Sequence, residues 1–161
     1  MQIERVVVNA SPLIVLFLSG QAGLLPQLFN EIIIPEAVWQ EVVTGGHHDL
    51  ATSGLRDASW AKTAAVKISP RIAAWNLGAG ESAVLTLALE QPAYRALVDD
   101  RAARRCARTL GIRVLGTGGL LVLAKRRGLL TSVTDGINRL RQAGLWLSDD
   151  LVGLLLKEAG E

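Results

Sequence analysis

Short aliphatic runs rich in β-branched residues alternate along this chain with stretches of helical periodicity, and that alternation leaves few folds open. Ile3–Val8 ends in Asn9-Ala10-Ser11-Pro12, where Ser11 reads as an N-cap and Pro12 as the first helical residue. Ile32-Ile33-Ile34 repeats the pattern, with Pro35 opening a helix through Val43 that Gly45-Gly46 stops. His47–Trp60 reads as a loop and helix, and Ala65–Ile68 as a short strand. Gly78-Ala79-Gly80 precedes a helix from Glu81 to about Glu90, ended by Pro92. Tyr94–Asp99 is a predicted strand, Arg101–Leu110 a helix closed by Gly111, and Ile112–Leu115 another strand. Gly116-Thr117-Gly118-Gly119 leads into a helix ending at Gly128, and two further helices follow near Ser132–Ala143 and Ser148–Ala159. Strands alternating with helices imply a parallel sheet covered on both faces, and the near-continuous apolar character of the strands is what such burial requires. In these folds the site lies beyond the carboxyl ends of the strands, where strand order reverses, so polar residues just past strand ends are the candidates.

The 161 residues suit one domain, with C-terminal helices over 131–159 packed on it. Half the residues are apolar and 20% are charged, which excludes a disordered chain. The lone Cys106 has no partner for an internal disulfide, which points to a reducing compartment and a cytoplasmic protein. The apolar run Pro12–Leu18 is far short of the roughly 20 residues that cross a bilayer, and it lacks the flanks of a signal peptide. Net charge is only +2, but basic residues bunch between Arg101 and Arg127.

Three places carry acids that a strand exit or an apolar face makes conspicuous. Asp99 and Asp100 directly follow Ala96-Leu97-Val98; one of them suffices as turn residue and N-cap, which leaves the other spare. Glu81 starts a helix, where a carboxylate suits the dipole, yet it shares a face with Val84, Leu85 and Ala88 and so needs a partner or a metal. On the helix from Pro35, Glu36 reads as a solvated first-turn acid, whereas Glu41 sits about 40° from Ala37 at the edge of the apolar stripe. Asn9 occupies the exit of the first strand, where an ordinary turn residue would bond the local backbone. Two carboxylates about 4 Å apart repel by on the order of 4 kcal/mol at an effective dielectric of about 20, so a gathered cluster takes up protons or a cation. Oxygen-only ligation suits Mg²⁺ or Mn²⁺ rather than zinc. His47-His48 has no Cys or further His nearby and reads as an ordinary loop.

Arg101, Arg104, Arg105 and Arg108 follow one helical face, with Ala102, Ala103, Cys106, Ala107 and Leu110 opposite and no acid on the helix to balance them. That face reads as a phosphate contact for RNA, against the bland alternative of a solvated charge run. Lys125-Arg126-Arg127 reads as helix-end cations. The loop Gly116–Gly119 lacks the third glycine and downstream acid of a dinucleotide site. Trp39, Trp60, Trp75 and Trp146 are dispersed and read as core or interface, not as a stacking platform.

Five segments together resemble the PIN domain family. Val6–Ile14 looks like its opening, with Asn9 where that pattern carries Asp; Ile34–Val42 is similar to its second motif, with Glu41 in the acidic place. Gly78–Ala83 resembles the third motif and Leu97–Arg101 the fourth, while Leu115–Leu121 matches a toxin-like prokaryotic branch. The resemblance implies a three-layer α/β/α sandwich with a central, mostly parallel sheet. It also implies a Mg²⁺- or Mn²⁺-dependent ribonuclease, often a homodimer and often the toxin that a partner antitoxin neutralises. In that picture Asn9, Glu41, Glu81, Asp99 and Asp100 form the metal and catalytic set, and Thr117 is a small polar RNA contact beside the four arginines. The metal would activate water and stabilise charge on the phosphate. Asn9 offers a neutral oxygen, which Mg²⁺-type cations accept; a catalytically silent RNA- or protein-binding PIN domain is therefore the alternative. A third reading is a metal-dependent phosphohydrolase of small molecules.

Overall fold

Val6, Val7 and Val8 are wholly enclosed, as expected of a β-branched run in the middle of a sheet covered on both faces. The computed structural model describes residues 4–45 and 49–161, without the side chain of Asp49; Ile3, Gly46 and the His47-His48 pair lie outside the described residues. The strands are β1 (Arg5–Val8), β2 (Glu31–Pro35), β3 (Ala61–Ala64), β4 (Tyr94–Leu97) and β5 (Val114–Leu115). They form one sheet in the order β3-β2-β1-β4-β5, and every pairing is parallel. Parallel neighbours need long crossovers, and helices supply them: α1 (Ala10–Leu18), α2 (Leu24–Leu28), α3 (Glu36–Thr44), α4 (Asp49–Asp57), α5 (Pro70–Ala73), α6 (Ala79–Glu90) and α7 (Arg101–Leu110). After β5 come α8 (Thr117–Arg126), α9 (Val133–Gln142) and α10 (Asp149–Glu158), which pack on one another. The result is a three-layer α/β/α sandwich. Among the described residues, no helix is long and apolar enough to cross a membrane.

The helix that most determines the layout is α6. Gly80 and Ser82–Ala88 are all buried, so it is apolar nearly all round, as a helix enclosed on several sides must be. It packs against α3, α7 and the strands β1, β2 and β4. Gly111 closes α7 in the left-handed conformation with φ 72°, which costs glycine nothing.

Local chemistry and long-range pairing disagree in two places. The N-cap of α1 is Asn9, not Ser11, and the helix starts at Ala10. The third strand is Ala61–Ala64, not Ala65–Ile68. Its register against Ile32–Pro35 decides the matter, and its exposed Lys62 and Thr63 suit a sheet edge better than an apolar run would.

The amino ends of the central strands are locked by a polar cluster. Arg5 pairs in register with Glu31 and Tyr94; its Nε lies 3.1 Å from the Glu31 carboxylate, which also accepts the Tyr94 hydroxyl proton. Burial first, and then the Glu31 carboxylate, push the Tyr94 phenol up to about 12. The Tyr94 hydrogen bond, with Arg5 behind it, holds Glu31 below the usual carboxylate range.

A second tie binds the last helices. The Glu161 carboxylate accepts from Lys125 Nζ at 2.8 Å, from the Val133 N–H at 2.7 Å and from the Thr134 N–H and hydroxyl at 3.1 and 2.7 Å. The residue is exposed as a whole, but only 19% of its side chain is. The Lys125 hydrogen bond foremost, then those from Thr134 and Val133, draw its pKa from 4.5 to about 2. A carboxyl depressed on folding contributes stability that is complete above its unfolded pKa and is lost as pH falls toward the folded one. Thermal melts of the wild type and Glu161→Gln should therefore differ above pH 4.5 and converge as pH drops toward about 2. A difference that stays constant with pH would remove this ionic tie.

Candidate active site

From β1 the chain fills β2 and β3 on one side, then returns to lay β4 and β5 on the other. The connections leaving β1 and β4 therefore part company, and a crevice opens between them at the carboxyl end of the sheet. Asn9 and Asp99 stand there. The Asn9 N–H donates to the Leu97 carbonyl at 3.1 Å, continuing the β1–β4 ladder beyond its last pair. Its side chain makes no capping hydrogen bond, so the turn role leaves the amide uncommitted, although the residue is only 5% exposed.

Glycine brings α6 close to this amide. A Cβ on Gly80 would stand 3.3 Å from Asn9 Oδ1, 3.3 Å from Val38 Cγ2 and 3.9 Å from Glu41 Oε1. The Asn9 oxygen and the Glu41 carboxylate thus converge on one spot over the first turn of α6. Glu41 is exposed on α3, at the end of the Ile34–Val42 segment that buries Val38 and Val42.

Asp99 is held by α8. The Thr117 N–H donates to its Oδ1 at 2.8 Å and the Thr117 hydroxyl to its Oδ2, a placement that the positive end of the helix dipole favours. Thr117 is fully buried, so it orients Asp99 rather than offering a surface contact. Arg104 leans over the same spot: its Nη1 donates to the Val98 carbonyl at 3.4 Å, and a Cβ on Gly116 would sit 2.6 Å from that nitrogen and 3.3 Å from Asp99 Oδ1.

The remaining two acids have helix-capping work. Asp100 is the N-cap of α7, accepting the Ala103 N–H at 2.9 Å. Glu81 accepts the Gly78 N–H at 3.1 Å, the N3-to-N-cap half of a capping box. Each bond engages one of the two carboxylate oxygens. Among the described residues, none of Glu41, Glu81, Asp99 and Asp100 forms an ion pair, and no three His, Cys, Asp or Glu side chains draw together as a metal cluster. The five sequence candidates therefore divide into Asn9 with Glu41, Asp99 with Thr117, and two capping acids.

Arg101, Arg105 and Arg108 are exposed along α7 and Arg104 is half-buried, while Ala103, Cys106 and Ala107 face the core. Ala102 is exposed, contrary to its expected place opposite the arginines. Burial pushes the Cys106 thiol up, which leaves it inert as a nucleophile. A groove of about 1110 Å³ is lined by Asp99, Gly116, the four arginines, Trp146 and Leu151 among others. Trp39, Trp60 and Trp75 are half-buried, with Trp60 stacked on Phe17 at 6.1 Å. Trp146 is not core: it is 79% exposed. Its position between Gly144 and the N-cap Ser148, outside any helical stripe, was a readable signal; nothing local marked Gly80 or Gly116 as points of close approach.

A family model described as a PIN domain (DUF3368) matches residues 5–161. The chain belongs to the PIN domain family. No curated protein and no solved structure matches it significantly. PIN domains are in general nucleases that use divalent metals. The donors of this PIN domain fit such a cation in kind: an amide oxygen and carboxylates, none of them neutralised by a neighbouring lysine or arginine in an ion pair among the described residues. Mg²⁺ is commonly held through one or two carboxylates, with water and substrate phosphate completing its six oxygens, so a three-acid cluster is not required of the PIN crevice.

Proposed function

We propose that this PIN domain is a Mg²⁺- or Mn²⁺-dependent endoribonuclease and the toxin half of a toxin–antitoxin pair, working as a homodimer. The observation that carries the nuclease reading is the convergence of the Asn9 and Glu41 oxygens over Gly80, beside Asp99, where the strand order reverses. The antitoxin and the dimer rest on the resemblance of Leu115–Leu121 to toxin-like PIN proteins; a neighbouring gene for a small DNA-binding protein would support the pairing.

In this reading Asn9, Glu41 and Asp99 hold the cation, with the open oxygens of Glu81 and Asp100 reachable through water. When bound, the cation acidifies water and stabilises charge on the phosphodiester. Thr117 fixes the Asp99 carboxylate through two hydrogen bonds, and the arginines of α7 steer the RNA backbone toward the crevice.

The test is cleavage of a mixed single-stranded RNA pool with Mn²⁺ or Mg²⁺ and with chelator, alongside Asn9→Asp. Metal-dependent cutting by the wild type that chelator abolishes is the expected result. The neutral amide at Asn9 favours a second reading, a silenced nuclease that binds RNA or protein. Silence of the wild type with cutting by Asn9→Asp would select that reading, and silence of both would sink catalysis.

A further inference from the structure

We propose that the groove beside α7 is a track for single-stranded RNA in which Trp146 stacks a base while the arginines hold the phosphates that lead to Asp99. It deepens the ribonuclease reading and rests on it for the choice of polymer. The groove's lining takes Arg101, Arg104, Arg105 and Arg108 from α7, Trp146 from the segment leading into α10 and Leu151 from α10, with Glu158 the one acid beyond Asp99 among the lining residues. None of the four arginines forms an ion pair among the described residues, and α7 has no acid of its own. That is a strong charge complement for a polyanion.

Trp146 supplies what a backbone contact lacks. The residue is 79% exposed, although only the N–H of an indole gains from water and its large apolar ring is normally buried or engaged. An arginine wall beside an exposed aromatic ring is the combination that single-strand binders use, with cations on the phosphates and a π-face for any base. Asp99 itself lines the groove, so a strand lying in it passes the crevice. A duplex cannot use the ring, because its bases are stacked on one another. The neighbouring Leu151 and Leu154, 43% and 58% exposed, would by themselves mark a protein interface; the uncompensated arginines favour RNA.

The test is binding of a short unstructured RNA, and of a duplex of equal length, in chelator so that no cutting intervenes. Trp146→Ala and Trp146→Leu should weaken single-strand binding by about 5- to 150-fold. Trp146→Phe should stay close to the wild type, and duplex affinity should ignore all three variants. Trp146→Leu keeps bulk and apolarity without a π-face, so a Leu variant that binds like the wild type overturns stacking. Absence of single-strand binding by the wild type would overturn the proposal too, as would unchanged RNA affinity with loss of self-association in Trp146→Ala, which would make the face a protein interface. The two readings fail separately. Trp146-dependent binding without metal-dependent cutting refutes the nuclease and keeps the track; cutting with Trp146-independent binding does the reverse.

Discussion

On the proposed ribonuclease reading, Asp99→Asn is expected to slow RNA cleavage by about 100- to 1000-fold, on the order of 3–4 kcal/mol of transition-state stabilisation, while leaving the melting temperature nearly unchanged. The reason lies in how Asp99 is held. Its two oxygens accept from the Thr117 N–H and hydroxyl, and an asparagine keeps one acceptor for the N–H while its amide turns a donor toward the hydroxyl oxygen. The packing against α8 survives, and only the charge is lost. That charge is what a cation would use, because no lysine or arginine neutralises Asp99 in an ion pair among the described residues. Single-turnover cleavage in Mn²⁺ measures the effect, and Mn²⁺ binding followed by calorimetry gives a readout independent of turnover. Activity and Mn²⁺ affinity both within about threefold of the wild type would remove Asp99 from the metal site.

The largest effect on stability is expected at Leu97. Leu97→Ala should destabilise the protein by about 2–5 kcal/mol, a substantial share of the roughly 5–15 kcal/mol that holds a domain together. Leu97 is fully buried in β4, which pairs with β1 through Val8 and with β5 through Leu115 and packs against α6, so the strand cannot shift to close over a lost side chain without breaking register. Its carbonyl also accepts the Asn9 N–H, so loosening β4 disturbs the crevice as well. Urea denaturation should show a lower midpoint at unchanged slope. A loss below about 1 kcal/mol would mean that β4 repacks around the gap, against the tight packing expected of an interior.

The helix ends were legible because capping is local chemistry. Ser132 and Ser148 cap α9 and α10 with their side chains, and Gly111 turns left-handed after α7, each as sequence alone implies. The end of β1 was legible for a related reason, since its valine run stops at Val8 where the strand does, whereas β4 ends at Leu97, two residues short of the predicted Tyr94–Asp99. What sequence could not supply was any decision made at a distance. Ala61–Ala64 became the third strand through pairing with β2, although Val66 and Ile68 have the greater β-propensity. Pro26 hid the short helix α2 (Leu24–Leu28). At the candidate site, Glu81 and Asp100 looked equivalent to Asp99 and Glu41. Only the fold separates Glu41, which meets Asn9 over Gly80, and Asp99, which Thr117 of α8 holds at the strand exit, from Glu81 and Asp100, which cap their own helices. Gly80 illustrates the limit: its significance is a contact with residues some way off in sequence, and no neighbouring residue encodes it.

The central place of β1 also bears on how the chain is made. On the ribosome, β1 and β2 can pair early, but the other flank of β1 waits for Tyr94–Leu97. At about 5–20 residues per second, the stretch between Pro35 and Tyr94 takes roughly 3–12 s to synthesise. Throughout that interval Val6, Val7 and Val8 present a bare apolar edge, the sort of surface that recruits chaperones or a strand from another nascent chain. A polypeptide released before β4 would therefore retain its most adhesive edge and half of its crevice, which makes premature termination upstream of Tyr94 a source of aggregates rather than of a smaller working domain.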